Sequence, residues 1–212
     1  MRHLKMLGLA MVAAAAFTAI IGVSSSSATV LCTETVTPCP AGKKIGQTGD
    51  STDNWIHAVL EENTATLIQT GGSTSNPLVT CTESTVTAEA ENTGSATETA
   101  KAEVTKLTFG GCTSTVDVLK NGTLEVHWDE GTHHGTVTAK ESQVTVNIFG
   151  VSCTYGAGAG IDIGTLTGGS MATMDINTVV GKEGGGFLCP ASAVWEAKYT
   201  VTEPEPLYVL KE

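Results

Sequence analysis

Arginine is almost absent from this chain: Arg2 stands alone against 22 Asp and Glu in 212 residues. Nucleic-acid binders need a basic footprint, with arginine for phosphates and base edges. Attachment to anionic lipid has the same need, so both are disfavoured. Aromatic residues are scarce too, at 5%, so smaller side chains must fill most of any core. After residue 23 no apolar run is long enough to cross a bilayer as a helix. The chain also lacks C-x-x-C, an EF-hand loop, G-x-S-x-G and a phosphate loop ending in Lys-Ser/Thr. No repeat of about 20–50 residues is visible, so a solenoid is not indicated.

Residues 1–28 read as a secretory signal peptide. Arg2, His3 and Lys5 form a basic start, Met6 to Val23 an uncharged apolar run, and Ser24 to Ala28 a small-residue end. Ser26 and Ala28 suit the cleavage pattern and place the cut before Thr29. The rival reading is an uncleaved anchor, for which the apolar run is at the short edge. Lipid attachment at Cys32 is disfavoured because Thr29, Val30 and Leu31, not small residues, precede it. The mature chain, 29–212, keeps nine Lys and all 22 acids, a formal charge of −13. That balance permits cation binding without requiring it.

All six cysteines, Cys32, Cys39, Cys81, Cys112, Cys153 and Cys189, lie in the exported part. An even count in an exported chain reads as three disulfides. Spacing alone leaves about 15 pairings open. Cys32 and Cys39 are near neighbours around Thr37-Pro38 and should close a small loop. Cys81–Cys112 and Cys153–Cys189 are the expected remainder, since each Cys edges an apolar β-like run. Such loops stabilise by roughly 3–4 kcal/mol in the chain-entropy account. A thiolate metal site is the weaker alternative, because the close Cys or His pairs of zinc sites are missing.

Short Thr/Val runs punctuated by Gly, Asn, Asp and Pro predict an all-β chain. Aromatics spread along its whole length favour one core. The fold expected is a single antiparallel β-sandwich over 54–212, after an irregular, disulfide-pinned lead-in over 29–53. Residues 54–69 read as a hairpin turning at Glu61, Glu62 and Asn63. Strands are expected near 78–83, 85–90, 135–139, 143–148, 153–155, 161–166, 171–180, 193–201 and 207–210. Over 96–109 helical spacing competes with a strand that slips its alternation between Val104 and Leu107. The threonines favour the strand, and the slip implies a bulge. Asn121-Gly122 predicts a hairpin whose three-residue loop, with Gly122 left-handed, pairs Leu119 with Thr123. Val116, Val118, Leu124, Val126 and Trp128 then share one face, leaving Asp117, Glu125 and His127 on the other.

Several clusters carry possible chemistry. His127, Asp129, His133 and His134, with Glu130 beside them, hold imidazole and carboxylate ligands of the kind Zn or Cu accepts. The plainer account is a solvated hairpin tip. Asp117 and Glu125 would face each other across the predicted hairpin and repel, which a cation such as Ca²⁺ or simple solvation would relieve. Ser51, between Asp50 and Asp53 with His57 following, superficially resembles a hydrolase nucleophile, but a polar turn explains it better. The glycines of 156–160 suit a flexible turn. Exposed Trp and Tyr would make a sugar platform, although three Trp in a β domain are more often core. No catalytic residue and no cofactor are indicated.

Three segments, Phe109-Gly110-Gly111-Cys112-Thr113, Phe149 to Gly156 and Gly185-Gly186-Phe187-Leu188-Cys189-Pro190, resemble uncharacterised secreted β proteins of actinobacteria. The segments around Asn121-Gly122 and Ile163 to Gly169 share the likeness, which covers about residues 78–210. It implies a fold and export, and no activity. The function expected is a non-enzymatic extracellular or envelope-associated protein that binds a ligand or envelope component or is structural. An extracellular carbohydrate-active hydrolase and a metal-binding protein through His127–His134 are the alternatives.

Overall fold

A computed structural model describes residues 28–46, 54–61, 65–91 and 99–212. The expected signal peptide, except Ala28, and the segment around Ser51 lie outside the described residues. Every regular element described is a β-strand. The strands are β1 (Thr29–Cys32), β2 (Trp55–Leu60), β3 (Ala65–Gln69), β4 (Val79–Cys81) and β5 (Glu83–Glu91). The middle of the chain supplies β6 (Ala100–Gly110), β7 (Val116–Lys120), β8 (Thr123–Asp129), β9 (His134–Lys140) and β10 (Gln143–Ile148). The last are β11 (Val151–Gly156), β12 (Ile161–Thr167), β13 (Thr173–Gly184), β14 (Ser192–Glu203) and β15 (Tyr208–Lys211).

Eight of these strands close on themselves as an antiparallel barrel, in the order β14-β2-β5-β6-β8-β9-β12-β13 and back to β14. The sandwich expectation is therefore corrected to a barrel with extra strands. Alternation shows that one face of each strand is buried, but a sandwich and a barrel satisfy it equally. Closure rests on β13 and β14, which pair from Thr173–Thr200 to Gly181–Ser192. Inside the ring sit Ala58, Ala88, Ala100, Ala102, Val126 and Val137, all buried. An eight-stranded barrel is just wide enough for side chains to fill. Here the alanines leave an apolar cavity of about 50 Å³.

The two long strands also run beyond the barrel. The first half of β14 pairs with β3, and the last residues of β13 pair with β11. β4-β3-β14-β13-β11-β10-β7 thus form a second curved layer. Segment 111–115 spans its open edges: Thr113 N–H donates to Thr80 O, and Asn147 N–H donates to Thr115 O. A ribbon of β1 and β15 caps the barrel, with Leu31 and Leu207 against its interior. Thr29 Oγ1 accepts the Trp128 N–H at 2.7 Å. Gly135 makes room for this cap, since a Cβ there would stand 2.4 Å from Val126 and 3.2 Å from Val209.

The disulfides join Cys32 to Cys39, Cys81 to Cys112 and Cys153 to Cys189, the expected pairs. The first pins the loop after β1, the second ties β4 to the segment after β6, and the third ties β11 to the β13–β14 connection. The bulge expected in the ambiguous stretch is present: Thr87 pairs with Lys106 and Ala88 with Val104, so Thr105 is the extra residue.

Three local expectations are corrected. The lead-in is not irregular at its start, because Thr29–Cys32 pair with Tyr208–Lys211. β2 and β3 do not form a hairpin; both lie along one edge of β14, which is long enough to receive them in succession. β7 and β8 do not pair across Asn121-Gly122 either: β7 pairs with β10, and β8 with β6 and β9. The turn chemistry is real but serves a corner between layers. Gly122 is left-handed at φ 75°, Asn121 Nδ2 donates to Thr105 O, and a Cβ on Gly122 would stand 2.3 Å from Lys140 O.

Tyr199 is fully enclosed, with 0% exposure. Ser84 Oγ donates to Thr108 O at 2.7 Å, so the Tyr199 hydroxyl donates to Ser84 Oγ at 2.9 Å. Burial pushes the phenol up to about 12. An unfolded tyrosine releases its proton near pH 10. The folded chain keeps it longer, so stability should fall by about 2 kcal/mol as pH rises from about 10 to 12. Absorbance titration of the Tyr199→Phe variant should lack that late ionisation. The Cys153–Cys189 bridge closes a separation of 36 residues. Replacing both cysteines by serine should cost roughly 3–4 kcal/mol in urea denaturation.

Candidate functional site

The residues singled out for metal binding lie on one hairpin but do not converge. His127 is exposed in β8 opposite Thr136. Asp129 ends the strand, and its carboxylate accepts from Gly131 N–H at 2.8 Å and from Thr132 Oγ1 at 3.1 Å. These bonds, the Gly131 N–H first, hold its carboxyl below the usual range. His133 takes a left-handed backbone at φ 59° and meets the Trp128 ring edge-on, with centroids 5.7 Å apart. Glu130 is paired with Lys211. Among the described residues no three His, Cys, Asp or Glu gather where they would hold an ion. His127, Asp129, His133 and His134 thus share the β8–β9 hairpin without gathering as a set of three ligands in this arrangement.

The cation pair is separated as well. Asp117 sits in β7 opposite Thr145, and Glu125 in β8 opposite Thr138. Because β7 and β8 belong to different layers, the two carboxylates never face each other. Glu125 has its cations already: Lys140 Nζ at 2.8 Å and Lys101 Nζ at 4.0 Å. The Lys140 hydrogen bond leads the causes that hold its carboxyl below the usual range.

The main concavity lies under the second layer. It is a cavity of about 70 Å³, several times the roughly 10–15 Å³ that one water requires. Its walls come from β3, β4, β10, β11, β12, β13 and β14, and from the ends of β6 and β7. Leu67, Val79, Val146 and Ile163 are buried in the wall, while Phe109, Val144 and Trp195 are half-buried at its edge. Phe109 and Trp195 meet edge-on, with centroids 6.2 Å apart. Tyr155 contributes an apolar ring and turns its hydroxyl away to Pro190 O at 3.1 Å. Burial raises that phenol, which stays neutral.

The chemistry of this wall is narrow. Among the described residues, Ser142 and Thr66 supply its only hydroxyls other than Tyr155, and no carboxylate, imidazole or lysine lines it. The barrel cavity is apolar too, with Lys101 its one charged neighbour among the described residues. These cavities can take up apolar surface and little else.

The sequence reading did not single out the cavity residues as a site. Val144 and Val146 were legible as one strand face, but the partner strands β3, β4 and β14 come from distant segments. Of the three Trp, Trp195 lines this cavity, Trp128 meets His133 edge-on and Trp55 is exposed at the start of β2. Comparison with protein-family models, curated proteins and solved structures found no match to this chain. The fold and three disulfides fit an oxidising, extracellular setting.

Glu125 offers a direct electrostatic test. A folded-state carboxyl held low contributes stability above its unfolded pKa and loses it as pH falls through the folded one. Glu125→Gln should therefore cost about 0.5–1 kcal/mol at neutral pH. The difference from the parent should shrink in urea melts taken progressively below about pH 4.

Proposed function

We propose that this protein is a non-enzymatic, exported binding protein that holds a small apolar molecule in the cavity between β3, β4, β10 and β14. The observation that carries this reading is the wall itself, which is apolar and reaches half-buried aromatics at its edge. Burial of apolar ligand surface contributes about 2.5 kcal/mol per 100 Å². A single aromatic ring or short alkyl chain is the class of ligand that fits. The two bridges at this layer, Cys81–Cys112 and Cys153–Cys189, hold its walls in place before a ligand arrives, which lowers the ordering cost.

Export supports the same reading. A basic, apolar and small-residue leader precedes Thr29, and a cut there would leave β1 whole. The chain would then work outside the cell or at the envelope, where three disulfides persist.

Toluene, a single uncharged aromatic ring, is a probe of suitable chemistry. Its titration should change Trp195 fluorescence and saturate with a Kd at or below about 1 mM. Val144→Phe, which places bulk at the cavity edge, should weaken the response at least tenfold, equivalent to about 1.4 kcal/mol. Equal responses from the two proteins would overturn the assignment of the cavity.

A further inference from the structure

Two phenylalanines stand almost wholly in solvent at one end of the second layer. Phe149 is 96% exposed at the tip of the β10–β11 hairpin. Phe187 is 94% exposed, and Leu188 beside it 61%, in the β13–β14 connection. The two tips are neighbours. Gly186 stands within 3.8 Å of Val151 when given a Cβ, and Cys153–Cys189 ties the segments together.

Phe149 is also in an unfavourable backbone. It lies at φ 51° and Gly150 follows at φ 82°, the paired left-handed geometry of a tight hairpin turn. Asn, Asp or Gly normally occupies the first of those positions. A bulky residue there is a genuine outlier. The turn would form more readily without the ring, so neither packing nor the turn accounts for Phe149.

Charge is sparse at these tips: Lys182, whose Nζ donates to Cys189 O at 3.4 Å, is the charged side chain bonded there. The segments 111–115, 147–153 and 184–195 contain no acidic or basic residue, in a chain with 22 acids elsewhere. The patch therefore suits a partner without charge. Its area argues against a second copy of this chain. Two phenylalanines and a leucine offer about 500 Å², whereas a stable dimer covers roughly 800 Å² on each partner. Projecting tips also lack the flat, matched surface of a protein interface, and a lipid surface requires no such match.

We infer that the Phe149, Phe187 and Leu188 tips dock the protein onto an uncharged lipid surface, the rings entering the interfacial layer while the acidic barrel stays in water. This docking does not rest on the cavity reading. The mature charge of −13 makes anionic lipid a poorer target, since like charges repel across the surface.

Co-sedimentation with pure phosphatidylcholine vesicles tests it. The parent protein should partition to the vesicles, and the Phe149→Ser/Phe187→Ser double variant should lose about tenfold per ring removed. Adding phosphatidylserine should weaken partitioning of the parent at low salt. Both rings are exposed, so the double variant should fold, with a melting temperature no lower than the parent's. Phe149→Asn should melt higher, because it relieves the left-handed strain, while partitioning less. No partitioning by the parent, or equal partitioning by parent and double variant, would overturn the proposal. So would a ring-dependent dimer in sedimentation equilibrium without vesicle binding.

Discussion

The pairing of β13 with β14 is the constraint on which everything else hangs. Its backbone ladder, from Thr173–Thr200 to Gly181–Ser192, closes the barrel and continues into the second layer. Each strand therefore has three partners: β13 pairs with β14, β12 and β11, and β14 with β13, β2 and β3. Where the partner changes, the sheet opens from a closed ring into a curved wall. The cavity lies under that wall, with Val180 of β13 and Trp195 of β14 in its lining. A shorter β14 would receive β2 or β3 but not both, and the second layer would lose an edge.

Much of this was legible from local chemistry. β-Branched alternation placed the strands, Gln143–Ile148 to the residue, because one-sided burial is written with a period of two. The slip after Val104 was readable as a bulge because the apolar positions change face there. The disulfide pairs match the expectation drawn from cysteines at the edges of β-like runs, although spacing alone left about 15 pairings open. What stayed hidden is partner choice. Asn121-Gly122 announces a left-handed glycine correctly, but that conformation serves a corner as well as a hairpin. Val116 and Val118 satisfy themselves against Val146 and Val144 of β10, which no window around residue 121 contains. The facing of Asp117 and Glu125 was misread for the same reason, since they were paired by a turn that leads elsewhere.

The scarcity of aromatics has a structural counterpart. Buried alanines at 58, 88, 100 and 102 fill the barrel with small side chains. The Tyr199 ring is wholly enclosed and the Tyr155 ring lines the upper cavity. Small side chains on opposite walls of a ring do not meet, so space remains inside both layers. Interiors are normally packed to crystal density, and unfilled space is usually costly. The bridges offset part of that cost by restricting the unfolded chain, so a loosely filled core can persist in a covalently tied scaffold.

The same covalent ties explain why exposed rings can be held at strained tips. A turn carrying Phe149 at φ 51° would open easily at the end of a free hairpin. Here β11 is anchored from behind by Cys153, whose side chain is fully buried, and Cys189 anchors the neighbouring tip. The glycines before Phe187 fold tightly against Ser152 and Cys153: Gly185 sits at φ 107°, where a Cβ would stand 2.7 Å from Ser152 O. The bridge thus separates two demands that a small β domain ordinarily cannot meet together. It supplies rigidity through sulfur, which frees large apolar side chains from the core and lets them face outward. An uncharged surface outside the protein is then the place where those rings recover the burial they lack within it.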